Sequence, residues 1–133
     1  MKTYEIDGHR FSTLEEFYDE ISRVLIQGAS WGHNLDALDD VLYGGFGTPD
    51  EGFILRWKNH AVSRQRLGYV ETARQLEKRL KRCHPTNRDI VRKELDLARG
   101  SQGPTVFDWL VEILTDDRAG RGEADGNVHL ELA

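Results

Sequence analysis

The chain contains little that could cross-link it or hold it in a membrane. Its 133 residues include a single cysteine, Cys83, so no disulfide can form within the chain. No apolar run approaches the roughly 18 to 20 residues that a transmembrane helix needs. The first residues, MKTYEIDGHR, lack the apolar core of a secretory signal. From these features we expect a soluble protein that works in the reducing cytoplasm.

The sequence also lacks the common signatures of catalysis. It contains no P-loop, no dinucleotide-binding glycine fingerprint and no G-x-S-x-G nucleophile motif. Cys83 and His84 are adjacent, and adjacent residues on a helix point apart, so they do not resemble a nucleophile with its base. His33, Asp36 and Asp40 lie at i, i+3 and i+7, but no further metal-ligand cluster accompanies them. We predict a protein that is not an enzyme and has neither a metal nor another cofactor.

The charges that are present are unevenly distributed. Residues 1–55 carry eleven acidic and three basic side chains, residues 56–99 five acidic and thirteen basic, and residues 100–133 seven acidic and two basic. With 38% hydrophobic residues and a mean hydropathy of −0.59, the composition is that of one globular domain. The acidic first segment favours a basic partner. The basic middle indicates either an anion-binding surface or a solvated helical face.

Apolar periodicity predicts a mixed α/β fold. Ser12 and Glu15 form a capping box for the first helix, and Asn34 is a suitable N-cap for the second. A small parallel three-stranded sheet packed against several helices accounts for the order of the elements. Strands are expected at residues 3–7, 53–57 and 128–132, and helices at residues 13–26, 35–43, 61–67, 70–83, 88–99 and 105–116.

The second predicted helix has an acidic face. Asp36, Asp39, Asp40 and Tyr43 lie at i, i+3, i+4 and i+7, opposite a stripe of leucines. No lysine or arginine occurs between Arg23 and Arg56 to neutralise these carboxylates. Like charges at such spacings destabilise a helix by about 0.2–0.5 kcal/mol per pair. The face is therefore either an ordinary solvated surface or one selected to meet cations.

The residues in and around this helix also carry a motif. It consists of Trp31-Gly32, the run Asn34-Leu35-Asp36-Ala37-Leu38, and then Asp40, Leu42 and Gly44. This motif resembles the signature of the barstar family, intracellular protein inhibitors of secreted microbial ribonucleases. The resemblance covers residues 1–67 and 104–133. It implies a single barstar-like domain over residues 1–133, in which residues 68–103 are a basic helical insertion.

The resemblance further implies that the second helix and its preceding loop occlude the active site of a small basic ribonuclease. Asp40 matches the aspartate that enters the substrate-phosphate site, Asp36 a second interface aspartate, and Gly44 a glycine of the contact loop. A carboxylate can take the place of a phosphate and pair with arginine. An acidic face also speeds encounter with a basic enzyme, an effect for which the barnase–barstar pair is the reference case. The predicted partner-binding residues are Trp31, Asn34, Asp36, Asp39, Asp40, Tyr43 and Gly44.

Two positions depart from the family pattern. Ser30 stands where an aromatic contact residue is expected, and Asp39 stands where the family often has tryptophan, so the contact surface is expected to differ from the usual one. The alternative function is a non-inhibitory binding module that uses the basic helices of residues 56–99 for nucleic acid or an acidic protein. Trp57 and Tyr69 are the only aromatic residues in that span, which disfavours single-strand binding. We expect no specific nucleic-acid or membrane binding, and a monomer when free.

Overall fold

The computed structural model describes residues 2–25, 32, 34–43, 52–115 and 128–133, with positions 39–41 and 43 described through their backbone alone. Three parallel strands form one sheet in the order β1, β2, β3. The strands are β1 (Lys2–Asp7), β2 (Phe53–Lys58) and β3 (Val128–Leu132), and the helices are α1 (Leu14–Leu25), α2 (Leu35–Tyr43), α3 (His60–Arg66), α4 (Tyr69–Arg82), α5 (Arg88–Arg99) and α6 (Val106–Thr115). The α/β class and the parallel sheet predicted from the sequence are confirmed.

The central strand β2 organises the core because it alternates buried and partly exposed residues. Phe53, Leu55 and Trp57 are fully buried. The indole of Trp57 lies 5.2 to 5.9 Å, between ring centroids, from three phenylalanine rings, and its N–H donates to Ser63 Oγ at 2.9 Å. This hydrogen bond satisfies the one polar group of a large buried aromatic residue. The apolar faces of α1, α2 and α6 pack into the same core as the sheet.

The other positions of β2 contribute to the polar side of the sheet. Arg56 pairs with Glu5 of β1 at 3.1 Å and with Glu131 of β3 at 3.0 Å. The strand register places Glu5, Arg56 and Glu131 side by side. Cross-strand pairs of opposite charge at adjacent register positions stabilise a sheet. The arginine therefore links all three strands.

The start of α1 differs from the sequence prediction by one residue. Thr13, rather than Ser12, is the N-cap: its Oγ1 accepts a hydrogen bond from the amide of Glu16 at 3.1 Å. The Glu16 carboxylate in turn accepts from the amide of Ser12 at 2.7 Å. The predicted pair of Ser12 and Glu15 was therefore wrong. Glu15 faces α4 instead, because burial of Leu14, Phe17 and Ile21 sets the rotation of α1.

Helices α4 and α5 pair around a small cluster of their own. Leu76 of α4 packs against Val91, Leu95 and Ala98 of α5. Trp109 of α6 touches both this cluster and the main core, so it is a structural residue. The end of α3 and the start of α6 are in direct contact, because the amide of Phe107 donates to the carbonyl of Leu67 at 3.2 Å. The two ends of residues 68–103 therefore lie close together, and the insertion itself stays a prediction.

Candidate functional site

The acidic helix α2 begins at the residue that the sequence indicated. Asn34 Oδ1 accepts a hydrogen bond from the amide of Ala37 at 2.8 Å, which is the N-cap geometry. The Asn34 amide nitrogen donates to the carbonyl of Gly32 at 3.3 Å, joining the cap to the preceding backbone. Asn34 therefore has a structural role at the start of α2, in addition to any contact with a partner.

Two buried leucines set the rotation of α2. Leu38 and Leu42 are both fully buried in the main core, and Leu35 packs against it. With 3.6 residues per turn, helical positions 36, 40 and 43 then fall on the face turned away from that core, and position 39 lies at the edge of this face. Asp36 is exposed, as this arrangement requires. The backbone thus places positions 36 and 40 of the predicted acidic face on the outer side of α2.

The predicted site residues are described to different extents. Asn34 and Asp36 are described in full, and both are exposed. Asp39, Asp40 and Tyr43 belong to α2, and only their backbone positions are described. Trp31 and Gly44 lie outside the described residues, so their predicted roles in the contact loop stay predictions.

A cleft of about 690 Å³ opens between the start of α2, the first half of α1 and the second half of α4. Asn34 and Asp36 line it from α2, and Glu15 and Tyr18 from α1. The residues that line it from α4 share one helical face at i, i+3, i+4 and i+7: they are Gln75, Lys78, Arg79 and Arg82. The sequence analysis did not predict this cleft. The spacing along α4 was visible in the sequence, but nothing local indicated which element it would face.

Carboxylates hold α1 and α4 together beside the cleft. Glu15 accepts hydrogen bonds from Lys78 and Gln75 at 2.7 Å each, and also pairs with Arg74. Burial alone would raise the pKa of Glu15, but the hydrogen bonds from Gln75, Lys78 and Arg74 outweigh it and hold the pKa at about 2. Glu15 is therefore ionised at neutral pH and offsets part of the positive charge of α4.

A second carboxylate, which belongs to α4, is more deeply buried than Glu15. Glu71 has a side chain only 5% exposed, and it pairs with Arg74 at 2.6 Å. Burial would raise the pKa of Glu71, but hydrogen bonds from Arg74, Gln75 and the amide of Leu14 lower it. An ionised buried carboxylate of this kind is stable only because its hydrogen bonds are satisfied.

Neither a metal centre nor a membrane-spanning helix is found in the described part of the chain. Within residues 2–25, 32, 34–43, 52–115 and 128–133, no three histidine, cysteine, aspartate or glutamate side chains are placed to share a metal ion. In those same ranges, no helix has the length and apolar character required to cross a bilayer. The alternative metal site of His33, Asp36 and Asp40 falls partly outside the described residues.

The fold and the helix together define a small α/β protein that presents a capped, outward-facing acidic helix. A family model described as Barstar (barnase inhibitor) matches residues 1–90, which is more than half of the chain. The chain therefore belongs to the barstar family, as its motif indicated. The match includes β1, β2 and α1 to α4. No curated protein matches the chain at a significant level.

Proposed function

We propose that the protein inhibits a secreted ribonuclease by inserting the acidic face of α2 into the enzyme's substrate-binding site. The family supports an inhibitory role of the barnase-inhibitor type. The observation that carries the proposal for this chain is the orientation of α2. Leu38 and Leu42 are buried, while exposed Asp36 marks an outward face that also contains helical positions 40 and 43, with position 39 at its edge.

The chemistry of the target explains why carboxylates are suitable on this face. A ribonuclease binds a polyanion, so its active site presents arginine, lysine or histidine side chains. A carboxylate fixed on a helix can pair with such groups in place of a phosphate, and an arginine can bind it through two parallel hydrogen bonds. Inhibition then needs no cofactor and no covalent step. The enzyme is blocked because its substrate site is already occupied.

Asp40 is the principal binding residue in this proposal. It matches the family's aspartate at the phosphate site, and its helical position lies one turn beyond Asp36 on the same face of α2. Trp31 supplies an aromatic anchor in the preceding loop, a residue type that often dominates interface energies. Asp36, Asp39, Tyr43 and Gly44 complete the contact surface together with Asn34.

The proposal includes a place of action and a stoichiometry. The inhibitor protects the cell that makes the ribonuclease, so it acts in the cytoplasm before the enzyme is secreted. It is a monomer when free and binds one enzyme molecule. A small basic enzyme is the expected target because its charge complements the net charge of −8 over residues 1–55.

The structure favours this function over nucleic-acid binding by the basic helices. Several of the bases in residues 56–99 are paired with carboxylates: Arg56, Arg74, Lys78 and Arg99. Trp57 is fully buried, and Tyr69 packs against the apolar cluster between α4 and α5. Neither aromatic residue is therefore free to stack on a base in the way single-strand binding requires.

A ribonuclease panel tests the proposal directly. The purified protein is titrated against small basic secreted ribonucleases, including those encoded by its native host, with cleavage of a fluorogenic RNA as the readout. At least one enzyme should lose its activity at a one-to-one ratio. If no enzyme is bound even at micromolar concentration, the inhibitor function is wrong.

A further inference from the structure

Asp36 belongs to two surfaces at once. It lies on the outward acidic face of α2, and it also lines the cleft between α2 and α4. A partner that covers the acidic face at the start of α2 therefore also covers the opening of this cleft. The basic side of the cleft then becomes part of the same interface.

That basic side is incompletely neutralised. Lys78 is paired with Glu15 at 2.7 Å, and the guanidinium of Arg79 lies 5.2 Å from the ring centroid of Trp109. Arg82, at the end of α4, is exposed, and no carboxylate in the described part of the chain pairs with it. The cleft is thus lined both by the exposed residues Arg79 and Arg82 and by Asp36.

Such cations work against the attraction that the proposed function needs. A basic ribonuclease approaching α2 is repelled by uncompensated positive charge nearby, since exposed charges act over a screening length of about 8–10 Å in physiological salt. The repulsion is removed only if the enzyme presents a negative group to the cleft. Positive and negative groups that lie side by side on one surface also orient a binding partner. They disfavour partners whose charges do not match this arrangement.

We propose that this cleft is a specificity element of the inhibitor, in which Arg82 and Arg79 receive an acidic side chain at the rim of the ribonuclease active site while Asp36 meets a cation beside it. The inference rests on the proposed function and adds a requirement to it. The preferred ribonuclease has a carboxylate next to its cationic substrate site. Enzymes whose rim is entirely basic are inhibited less well.

The test compares two charge reversals on α4. Arg82→Glu inverts the charge inside the cleft. Lys81→Glu makes the same change at the neighbouring residue, which is exposed and lines the separate groove between α4 and α5. The probe is the ribonuclease that the panel identifies as most strongly inhibited. Dissociation constants are measured by inhibition titration near physiological salt, with thermal unfolding of each variant and with Asp40→Ala as the reference.

The expected result is a loss of affinity of about tenfold or more for Arg82→Glu, because an attractive contact becomes a repulsive one. Lys81→Glu should change affinity by less than about threefold. Both variants should unfold at similar temperatures slightly below that of the wild type, because each places a negative charge in the last turn of α4. Arg82→Glu should also strengthen inhibition of panel enzymes whose active-site rim is entirely basic. This reversal of preference cannot arise from a loss of folding.

Other outcomes would overturn the inference in distinguishable ways. If Arg82→Glu binds as well as Lys81→Glu while Asp40→Ala loses affinity, the cleft is not a specificity element and the inhibitor function stands. If no panel enzyme is bound, the inhibitor function and the inference fail together. If the wild-type protein binds a labelled single-stranded RNA and Arg82→Glu abolishes that binding, the cleft is a phosphate site rather than a protein contact.

Discussion

The carboxylate of Glu71 accepts a hydrogen bond from the backbone amide of Leu14, 2.9 Å away and 57 residues earlier in the sequence. Leu14 is the first residue of α1, so its amide has no partner within its own helix. A negative charge at this end of α1 also interacts favourably with the helix dipole. Helix α4 thus supplies a second cap to α1, in addition to the local cap from Thr13.

Helix α4 does the same for α6. The Oγ1 of Thr72 accepts a hydrogen bond from the amide of Val106, the first residue of α6, at 2.8 Å. Side chains of two adjacent α4 residues therefore accept hydrogen bonds from the first amides of two helices in the main core. Helix α4 is consequently tied into the domain through the starts of α1 and α6.

The first prediction concerns the buried cap. Glu71→Ala should destabilise the protein by about 2–3 kcal/mol, because it leaves the buried Leu14 amide without an acceptor and removes a charged hydrogen bond. Urea unfolding followed by circular dichroism measures this free energy. Glu77→Ala is the matched control, since Glu77 lies on the same helix in an exposed pair with Arg99 and should cost at most about 1 kcal/mol. Equal losses in the two variants would show that Glu71 does not act as a cap.

The second prediction concerns acid stability. Glu15 and Glu71 both have a lower pKa in the folded protein than the ordinary value of 4.5, and that of Glu15 is about 2. The unfolded state therefore binds protons more readily. The stabilisation is complete above about pH 4.5 and is lost as the pH falls towards 2. Thermal unfolding temperatures should fall across this window.

Glu15→Gln should reduce the slope of that pH dependence, and Glu112→Gln is its control. Glu112 is exposed on α6, and no partner of its carboxylate is found in the described part of the chain. The effect of Glu15→Gln should be modest, because the Glu15 side chain is 43% exposed and solvent screens its ion pairs. A pH dependence identical in both variants would mean that Glu15 contributes nothing to acid unfolding.

The third prediction separates binding from stability at Asp40. Asp40→Ala should weaken ribonuclease binding by about 2–5 kcal/mol or more, mainly through faster dissociation, since the enzyme's cations would be left buried without a partner. In the free protein the same change removes repulsion with the neighbouring aspartates and introduces a better helix former. Stability should then stay level or rise by up to about 1 kcal/mol.

Both quantities are measured on the same variant, by binding kinetics and by denaturant unfolding. Asp96→Ala, at an exposed aspartate of α5, controls for the loss of one negative charge and should leave dissociation unchanged. Unchanged affinity combined with lost stability in Asp40→Ala would make Asp40 a structural residue and place the interface elsewhere.

The fourth prediction is that the basic helices do not bind nucleic acid specifically. The protein should show no sub-micromolar affinity for single-stranded RNA or duplex DNA near physiological salt, measured by fluorescence anisotropy. Real phosphate contacts release counterions, so they would appear as affinity that falls steeply with salt concentration. Tight binding with such a slope would promote the alternative function.

Much of the fold follows from local patterns in the sequence. Strand β2 and helices α3 to α6 lie within about one residue of their predicted bounds, because apolar periodicity and helix ends depend on neighbours a few residues apart. The orientation of α2 is also a local property. The spacing of Leu38 and Leu42 determines which face is buried, and Asn34 determines where the helix begins.

The sequence could not determine which helix faces each charged side chain. Glu15 looked like part of a local cap, yet it pairs with α4. Glu71 has no local signal of a cap in the sequence, yet it caps α1. The basic face of Gln75, Lys78, Arg79 and Arg82 has the same spacing as the acidic face of α2, and only packing brings it to one cleft with Asp36. Local spacing determines which side chains share a face, whereas the burial of apolar surface between distant segments determines what that face meets.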